Sequence, residues 1–415
     1  MAPTVRAAAL LAVIACSALI LPAAAVIVAG LILAAAAAAD AWTVREAPAV
    51  ERTLARVLSR GAPSPLSVRA RTFDNRRVLL RQPATPDLGV EVQASRNELQ
   101  GWVTARRRGR HELPAIASAS LGPLGLARVH HRSGPVESVR VYPDLVAARA
   151  LLLRLRAGAA GHPEGAARGP LGLGTDFESV RDYSPSDDIR QLNWRATARL
   201  GRPMSNQYRV ERDRDVVCML DSGRLMSAPI GSRTMLDASL DAMAVVALAA
   251  DELGDRCGAI AFDASVLRSL APRHLGGHQV VEALFELEAT ALDSDFEVAF
   301  TRVGRSRRAF VLVLTDLIDE AAARSLIAGM PMLARRHAVV VASAIDPALV
   351  HLTTTPPTSA AQVAGAVVAL DVLEARARAA LQLRRAGAEV LEAPAEELAA
   401  RCLRAYLRAK SRARL

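Results

Sequence analysis

Two carboxylates are the first candidates for chemistry in this sequence. Asp221 closes the apolar run of residues 216–220, and Asp316 follows the apolar run 309–314 and Thr315. At the carboxyl ends of neighbouring strands in an open parallel sheet, such a pair lies where ligands bind. Two carboxylates there could hold a hard cation such as magnesium, which takes oxygen ligands. Arg224 adds a positive charge beside Asp221 and could neutralise the carboxylates directly. The plainer reading of both Asp residues is that they end strands and cap the loops that follow. Asp187 and Asp188 form a second acidic pair that could act as acid, base or metal ligand. No His or Cys stands at a suggestive spacing from them, and both fit the turn after Pro185. Patterns for a phosphate-binding loop, a nucleophile elbow or a His-Glu-x-x-His zinc site are absent. His130, His131, His274 and His278 lack a Cys or Glu at ligand spacing and read as loop or surface residues. The four cysteines, at 16, 218, 257 and 402, share no short spacing. They suit small apolar fillers in a reduced compartment better than a disulfide framework or zinc knuckle.

The elements that must position these residues follow from hydrophobic period. After residue 214 the pattern is strand–helix–strand. Strands at 215–220, 258–262, 309–314 and 337–342, apolar but for the leading Asp215 and His337, alternate with helical stretches such as the one carrying Leu236, Leu240, Met243 and Ala247. A last strand at 388–391 is followed by a helix from about Pro394. Strands of consecutive apolar residues indicate a parallel sheet covered on both faces. The expectation is a doubly wound, mostly parallel α/β domain over 215–415. Residues 45–147 instead show short alternating runs punctuated by Pro63, Pro83, Pro86, Asn97 and Gly101, the pattern of a small β-sandwich. Between them, 148–171 reads as a linker, since 158–174 is rich in Gly, Ala and Pro, and 172–214 as a separate segment.

Residues 7–39 form one apolar run broken by Ser17, Pro22 and Gly30. As one helix it would be about 50 Å long, against a hydrocarbon core of about 30 Å. Split at Pro22, it gives two spans of roughly 17 residues, near the lower limit for crossing. Arg6 precedes them, and Arg45, Arg52, Arg56 and Arg60 follow, which favours a transmembrane hairpin over 1–44 with both ends in the cytoplasm. The other reading is a cleaved signal peptide, since residues 21–25 resemble a processing site. The net charge of +10 comes almost entirely from arginine, with Lys410 the single lysine. Arg-dense stretches such as 106–108 lack the interleaved aromatics that stack on bases, so a nucleic-acid partner is not expected.

Asp221-Ser222-Gly223-Arg224-Leu225 resembles the metal-ion-dependent adhesion site of the von Willebrand A domain, which uses Asp-x-Ser-x-Ser, a Thr and a second Asp. Both serine positions hold other residues, Gly223 and Leu225. Residues 172–199, from Gly172-Leu173-Gly174-Thr175-Asp176-Phe177 through Arg181-Asp182-Tyr183 and Asp187-Asp188-Ile189-Arg190 to Asn193-Trp194 and Ala198-Arg199, resemble the signature of the DUF58 family. Asp176, Ser186 and Asn193 depart from its usual Glu, Gly and Asp. Residues 107–110 and 121–126 are similar to that family's β-domain landmarks. The resemblance implies a membrane hairpin, a β-rich domain, the signature and an A-like domain. It also implies a partner, a MoxR-type AAA+ ATPase, with a role in assembly or maturation of other proteins. Alternating charges and rings at Gly174, Phe177, Arg181, Tyr183, Asp187, Asp188, Arg190, Trp194 and Arg199 suit an interdomain web of Arg–carboxylate pairs, with Trp194 buried in it. The expectation is therefore a non-enzymatic interaction module that presents Asp221, Arg224 and Asp316 to its partner, with no cofactor. The alternative is a magnesium-dependent adhesion or hydrolytic domain.

Overall fold

Almost none of the N-terminal apolar segment is buried in the computed structural model, which describes residues 2–71, 77–95, 97–160, 176–184, 192–209, 213–303, 307–317 and 323–411. The chain divides into two compact units, Met1–Tyr142 and Pro143–Leu415. In the first, β1 (Ala2–Pro3) leads into α1 (Val5–Ser17) and α2 (Ala23–Thr43). The break falls at Pro22, as the sequence predicts, but the two helices are unequal, at 13 and 21 residues. The turn at 18–22 is taken from the first helix, while the second runs on past Asp40. At about 1.5 Å per residue only α2, about 32 Å long, matches a hydrocarbon core of about 30 Å. Ile27, Val28, Leu31 and Ile32 on α2 face outward. At its end the Arg45 guanidinium lies 4.0 Å over the exposed Trp42 ring, an arrangement suited to a membrane–water boundary.

The strands that follow are β2 (Ala49–Thr53), β3 (Val57–Ser59), β4 (Pro63–Arg71), β5 (Val78–Arg81), β6 (Leu88–Ser95), β7 (Glu98–Ala105), β8 (Gly109–Leu113), β9 (Ile116–Leu121), β10 (Ala127–Ser133) and β11 (Glu137–Tyr142). They build sheets of order β2-β4-β7-β6, β1-β10-β9-β5 and β3-β11-β8, antiparallel except for the β3–β11 pair. Inward residues such as Leu66, Val68, Leu99, Val103 and Val141 form one core. Both ends of the helical pair are fastened to this unit. β1 pairs with β10. Thr4 Oγ1 accepts from the Ala7 amide at 3.3 Å and donates to the Gly125 carbonyl at 2.6 Å. Asp40, 1% exposed, accepts from the backbone amides of Leu124 (2.8 Å), Leu126 (2.8 Å) and Ala127 (2.9 Å). Three amide donors compensate the loss of water around its carboxylate. A Cβ on Gly122 would stand 2.2 Å from Asp40 Cγ, so the Gly-rich run at 121–126 is the cradle of this carboxylate.

The second unit opens on α3 (Leu145–Ala160), whose Ala148 and Leu152 pack into the core below. The first part of the expected linker is thus helix, because Leu145, Ala148 and Leu152 recur at helical spacing; residues 161–171 lie outside the described residues. β12 (Asp176–Asp182) and β13 (Met204–Arg209) form an antiparallel pair, with α4 (Trp194–Leu200) between them in sequence. There follow β14 (Asp215–Asp221), the short hairpin β15 (Pro229–Ile230) and β16 (Arg233–Thr234), α5 (Met235–Glu252), β17 (Arg256–Phe262), β18 (Val266–Arg273), α6 (Gly276–Leu284), α7 (Phe296–Val303), β19 (Ala309–Leu314), α8 (Arg324–Ala334), β20 (Ala338–Ile345), α9 (Pro347–Thr354), α10 (Ala360–Arg385), β21 (Glu389–Pro394) and α11 (Ala395–Ser411).

The main sheet has order β18-β17-β14-β19-β20-β21 and is parallel except at β17–β18. The residues between β17 and β18, 263–265, are too few for a crossover, so this edge strand must return antiparallel. β14 is buried at every position. Its Val216, Cys218 and Leu220 face a core built with α5 and α11, while Val217 and Met219 face one built with α7, α8 and α10. The mostly parallel α/β sheet expected from the apolar strands is what forms.

Candidate functional site

Parallel neighbours bring the ends of β14 and β19 together, so Asp221 and Asp316 line one cleft of about 420 Å³ with Arg224, Asp293, Ser294 and Thr315. Each carboxylate accepts hydrogen bonds from within the protein. Asp221, 3% exposed, accepts from the Gly223 amide (2.8 Å), from the Ser294 hydroxyl, and from the Thr315 hydroxyl (2.5 Å). Asp316 Oδ1 accepts from the Leu317 amide (2.8 Å), Ser343 Oγ (3.2 Å) and Arg376 Nη1 (2.6 Å). Arg376 reaches in from α10, 4% exposed, and also donates to Ser343 Oγ (2.8 Å) and the Ala344 carbonyl (3.0 Å).

The cation that pairs with Asp316 is therefore Arg376, not Arg224, while Asp221 is held by neutral donors alone. Arg224 stands on the rim and pairs with exposed Asp293. The reason is local: the loop carrying Asp293 is laced to Arg224 by the Arg224 amide, which donates to the Leu292 carbonyl at 2.8 Å. The same loop explains Gly223. A Cβ there would lie 2.1 Å from Ser294 Oγ, so the hydroxyl comes from Ser294 across the cleft instead of from position 223.

A magnesium ion does not fit this donor set. Both Asp221 oxygens are occupied by protein donors, and the Arg376 guanidinium already supplies the positive charge at Asp316. Among the described residues no group of three or more His, Cys, Asp or Glu is placed to hold a metal. Nor do the buried thiols offer nucleophiles, since burial pushes Cys402 well up, and a hydrogen bond with Cys218 together with burial does the same to Cys257.

Burial also raises the Asp221 carboxyl above its ordinary value. Hydrogen bonds from Ser294, Thr315 and Gly223 oppose this, and the charge of Asp316 adds to it. A carboxyl whose folded pKa lies above its unfolded one destabilises the fold when ionised. The penalty is absent below the ordinary value of 3.8 and complete above the raised one. Asp221→Asn is accordingly expected to raise the melting temperature at about pH 8, with the advantage shrinking as the pH falls toward about 4 and gone below it. Thermal melts across that range check this. A variant less stable than wild type at every pH would show that accepting three hydrogen bonds outweighs the buried charge.

The signature residues are only partly on view. Gly174, Asp187, Asp188 and Arg190 lie outside the described residues, as does the side chain of Phe177. Arg181 and Tyr183 are half-buried at the end of β12, where the Tyr183 amide donates to the Pro203 carbonyl at 2.9 Å. Arg199 is exposed on α4. Trp194 is 69% exposed, which corrects its expected burial. It opens a seven-residue surface helix with no buried residue, capped by Asn193 and ended by Gly201 in the left-handed region. Sequence reasoning missed Ser294, Ser343 and Arg376, none of which sits in a recognisable pattern.

These features define an α/β domain with a polar cleft at the carboxyl end of a mostly parallel sheet, its two carboxylates hydrogen-bonded from within and one of them, Asp316, paired with Arg376. A family model described as "Protein of unknown function DUF58" matches residues 179–389, half of the chain and all within the second unit. The chain belongs to that family. Uncharacterized proteins of Mycobacterium bovis and of two Mycobacterium tuberculosis strains are each 24% identical over 189 residues, covering 44% of this chain. The matched region spans 58% of those relatives. Among solved structures, a cohesin module of a Clostridium perfringens family 33 glycoside hydrolase covers 23% of this chain and 96% of its own, at 8% identity and a TM-score of 0.17, too slight a likeness to carry an argument.

Proposed function

We propose that this chain is a membrane-anchored, non-catalytic interaction module whose second unit is a von Willebrand A-like domain that docks a MoxR-type AAA+ ATPase in the assembly or maturation of other proteins. One observation carries the reading. In the cleft where such a sheet would bind a ligand, Arg376 pairs with Asp316 and the Ser294 and Thr315 hydroxyls bond to Asp221, while the rim carries an exposed Arg224–Asp293 pair. A rim of that kind steers and orients a protein partner more than it performs chemistry. The strand order, with one antiparallel edge strand, supports the A-like assignment. The exposed apolar α2, the fastening of both helix ends to the β-rich unit and the flanking arginines support a retained anchor with both soluble units in the cytoplasm.

The test is co-purification and titration of the ATPase from the same organism against wild type and Arg224→Glu, with nucleotide present. Charge reversal at an exposed position is expected to weaken binding and change its salt dependence while leaving the melting temperature unchanged. Absence of a complex at tens of micromolar removes the partner. Equal affinity moves the contact away from this rim. A saturable magnesium-dependent rise in melting temperature, lost in Asp221→Ala, favours the metal-dependent reading instead.

A further inference from the structure

We propose that the tip of the α9–α10 hairpin inserts into the outer layer of a lipid bilayer, as a second membrane contact beside the N-terminal helix. Residues 347–370 contain no Asp, Glu, Lys or Arg, in a chain that is 23% charged. The hairpin nevertheless stands in the open. Val350, Leu352, Val363, Val367, Val368 and Leu370 are between 39% and 60% exposed, and the first buried residue of α10 is Ala369. Exposed apolar surface on this scale marks an interaction site.

The polar groups of the tip point to lipid as the occupant. Thr353 and Thr354 donate their hydroxyls to the Val350 carbonyl at 2.9 and 3.0 Å. The Thr358 hydroxyl and amide both donate to Gln362 Oε1, at 2.8 and 2.6 Å. Ser359 caps α10 through the Gln362 amide, and the Thr355 amide donates to the His351 carbonyl at 3.0 Å. Pro356 and Pro357 bring no N–H at all. A solvent-exposed turn has water for these groups. Satisfying them internally is what a site without water demands.

The distribution of apolar residues argues against a second copy. Val363, Val367 and Leu370 share one stripe of α10, but Val368 lies off it, and α9 adds Val350 and Leu352 from beside it. A helix seam between copies is narrow and flanked by charges that set its register, and charges are what this tip lacks. From Ala360 to Leu370 the helix extends about 16 Å, enough to reach through the interfacial layer and too short to cross about 30 Å of hydrocarbon. With no cation in the tip, attraction needs no anionic lipid and resists salt. A chain carrying α2 is already tethered to a bilayer, so this second contact forms at high effective concentration.

The experiment uses the full chain in phosphatidylcholine bilayers, with a nitroxide on Val367→Cys in a Cys16→Ser background, since the other three cysteines are buried. Collisions with oxygen, which concentrates in lipid, are compared with those of a water-soluble nickel chelate. The expected result is loss of nickel access at this position, while a label on Met332→Cys, exposed on α8, keeps it. Adding Val363→Asp should restore nickel access to a label on Leu370→Cys. Nickel access at position 367 equal to that at 332 overturns the proposal. So does protection accompanied by dipolar broadening between labels, which would place a second copy over the tip. Neither outcome depends on the ATPase.

Discussion

Lys410→Met is expected to cost the second unit about 3–5 kcal/mol, the usual price of removing one partner from a buried ion pair. Lys410 Nζ lies 2.5 Å from Asp255 Oδ2, and their side chains are 1% and 0% exposed. Tyr406, one turn earlier on α11, donates its hydroxyl to the same oxygen, and the Arg214 amide donates to Oδ1 at 3.2 Å. Burial and the Asp255 charge push the Tyr406 phenol well above its ordinary value, so it stays a neutral donor. Without the ammonium, a carboxylate with no access to water keeps only neutral donors. The loss is a large fraction of the roughly 5–15 kcal/mol by which domains are stable. Denaturant melts of wild type, Lys410→Met, Asp255→Asn and the double variant measure it. The double variant should recover part of the loss, because the stranded charge is gone. A single-variant loss below about 1 kcal/mol would mean that water reaches Asp255 when α11 relaxes.

Arg376→Met should be nearly as damaging, at about 3–5 kcal/mol, for a related reason. The guanidinium serves Asp316 at 2.6 Å, Glu392 at 3.3 Å, Ser343 and the Ala344 carbonyl, so its removal leaves several buried acceptors without their donor. It also fastens α10 to the ends of β19 and β20 and so holds the cleft in shape. Asp316→Asn in the Arg376→Met background is expected to regain part of the stability. If the two substitutions simply add, the pair is not coupled and this account of the cleft fails.

The parts legible in the sequence were those with a local period. Continuous apolar runs at 216–220 and 309–314 announce strands buried on both faces, and their ends fixed Asp221 and Asp316 in one cleft. The break at Pro22 was equally plain. What stayed hidden depends on distant contacts. Arg376 lies 60 positions from Asp316 in the middle of a long helix whose period says only that the residue is polar. Ser294 lies 73 positions from Asp221 in an irregular loop. Arg224 was the obvious neutralising cation because it is near in sequence, yet nearness in the chain placed it on the rim. Trp194 shows the opposite error. A large ring suggests burial, but a seven-residue helix capped at both ends can hold that ring on its outer side. Asp40 would read as the end of a membrane helix, while its three donors sit 84 to 87 residues away.

A chain with a single lysine, sealed inside its last helix, has an unusual relation to amine chemistry. In the folded protein the one ε-amine is closed to an amine-reactive reagent, because it is 1% exposed and paired with Asp255. Lysine-specific proteolysis likewise has one bond to cut, and that bond is closed while α11 stays docked. Acylation at Lys410 therefore reports the opening of a single helix, at a rate set by the free energy of that opening. An acylated side chain, its charge gone, can no longer pair with Asp255, so the modified helix is left less firmly docked.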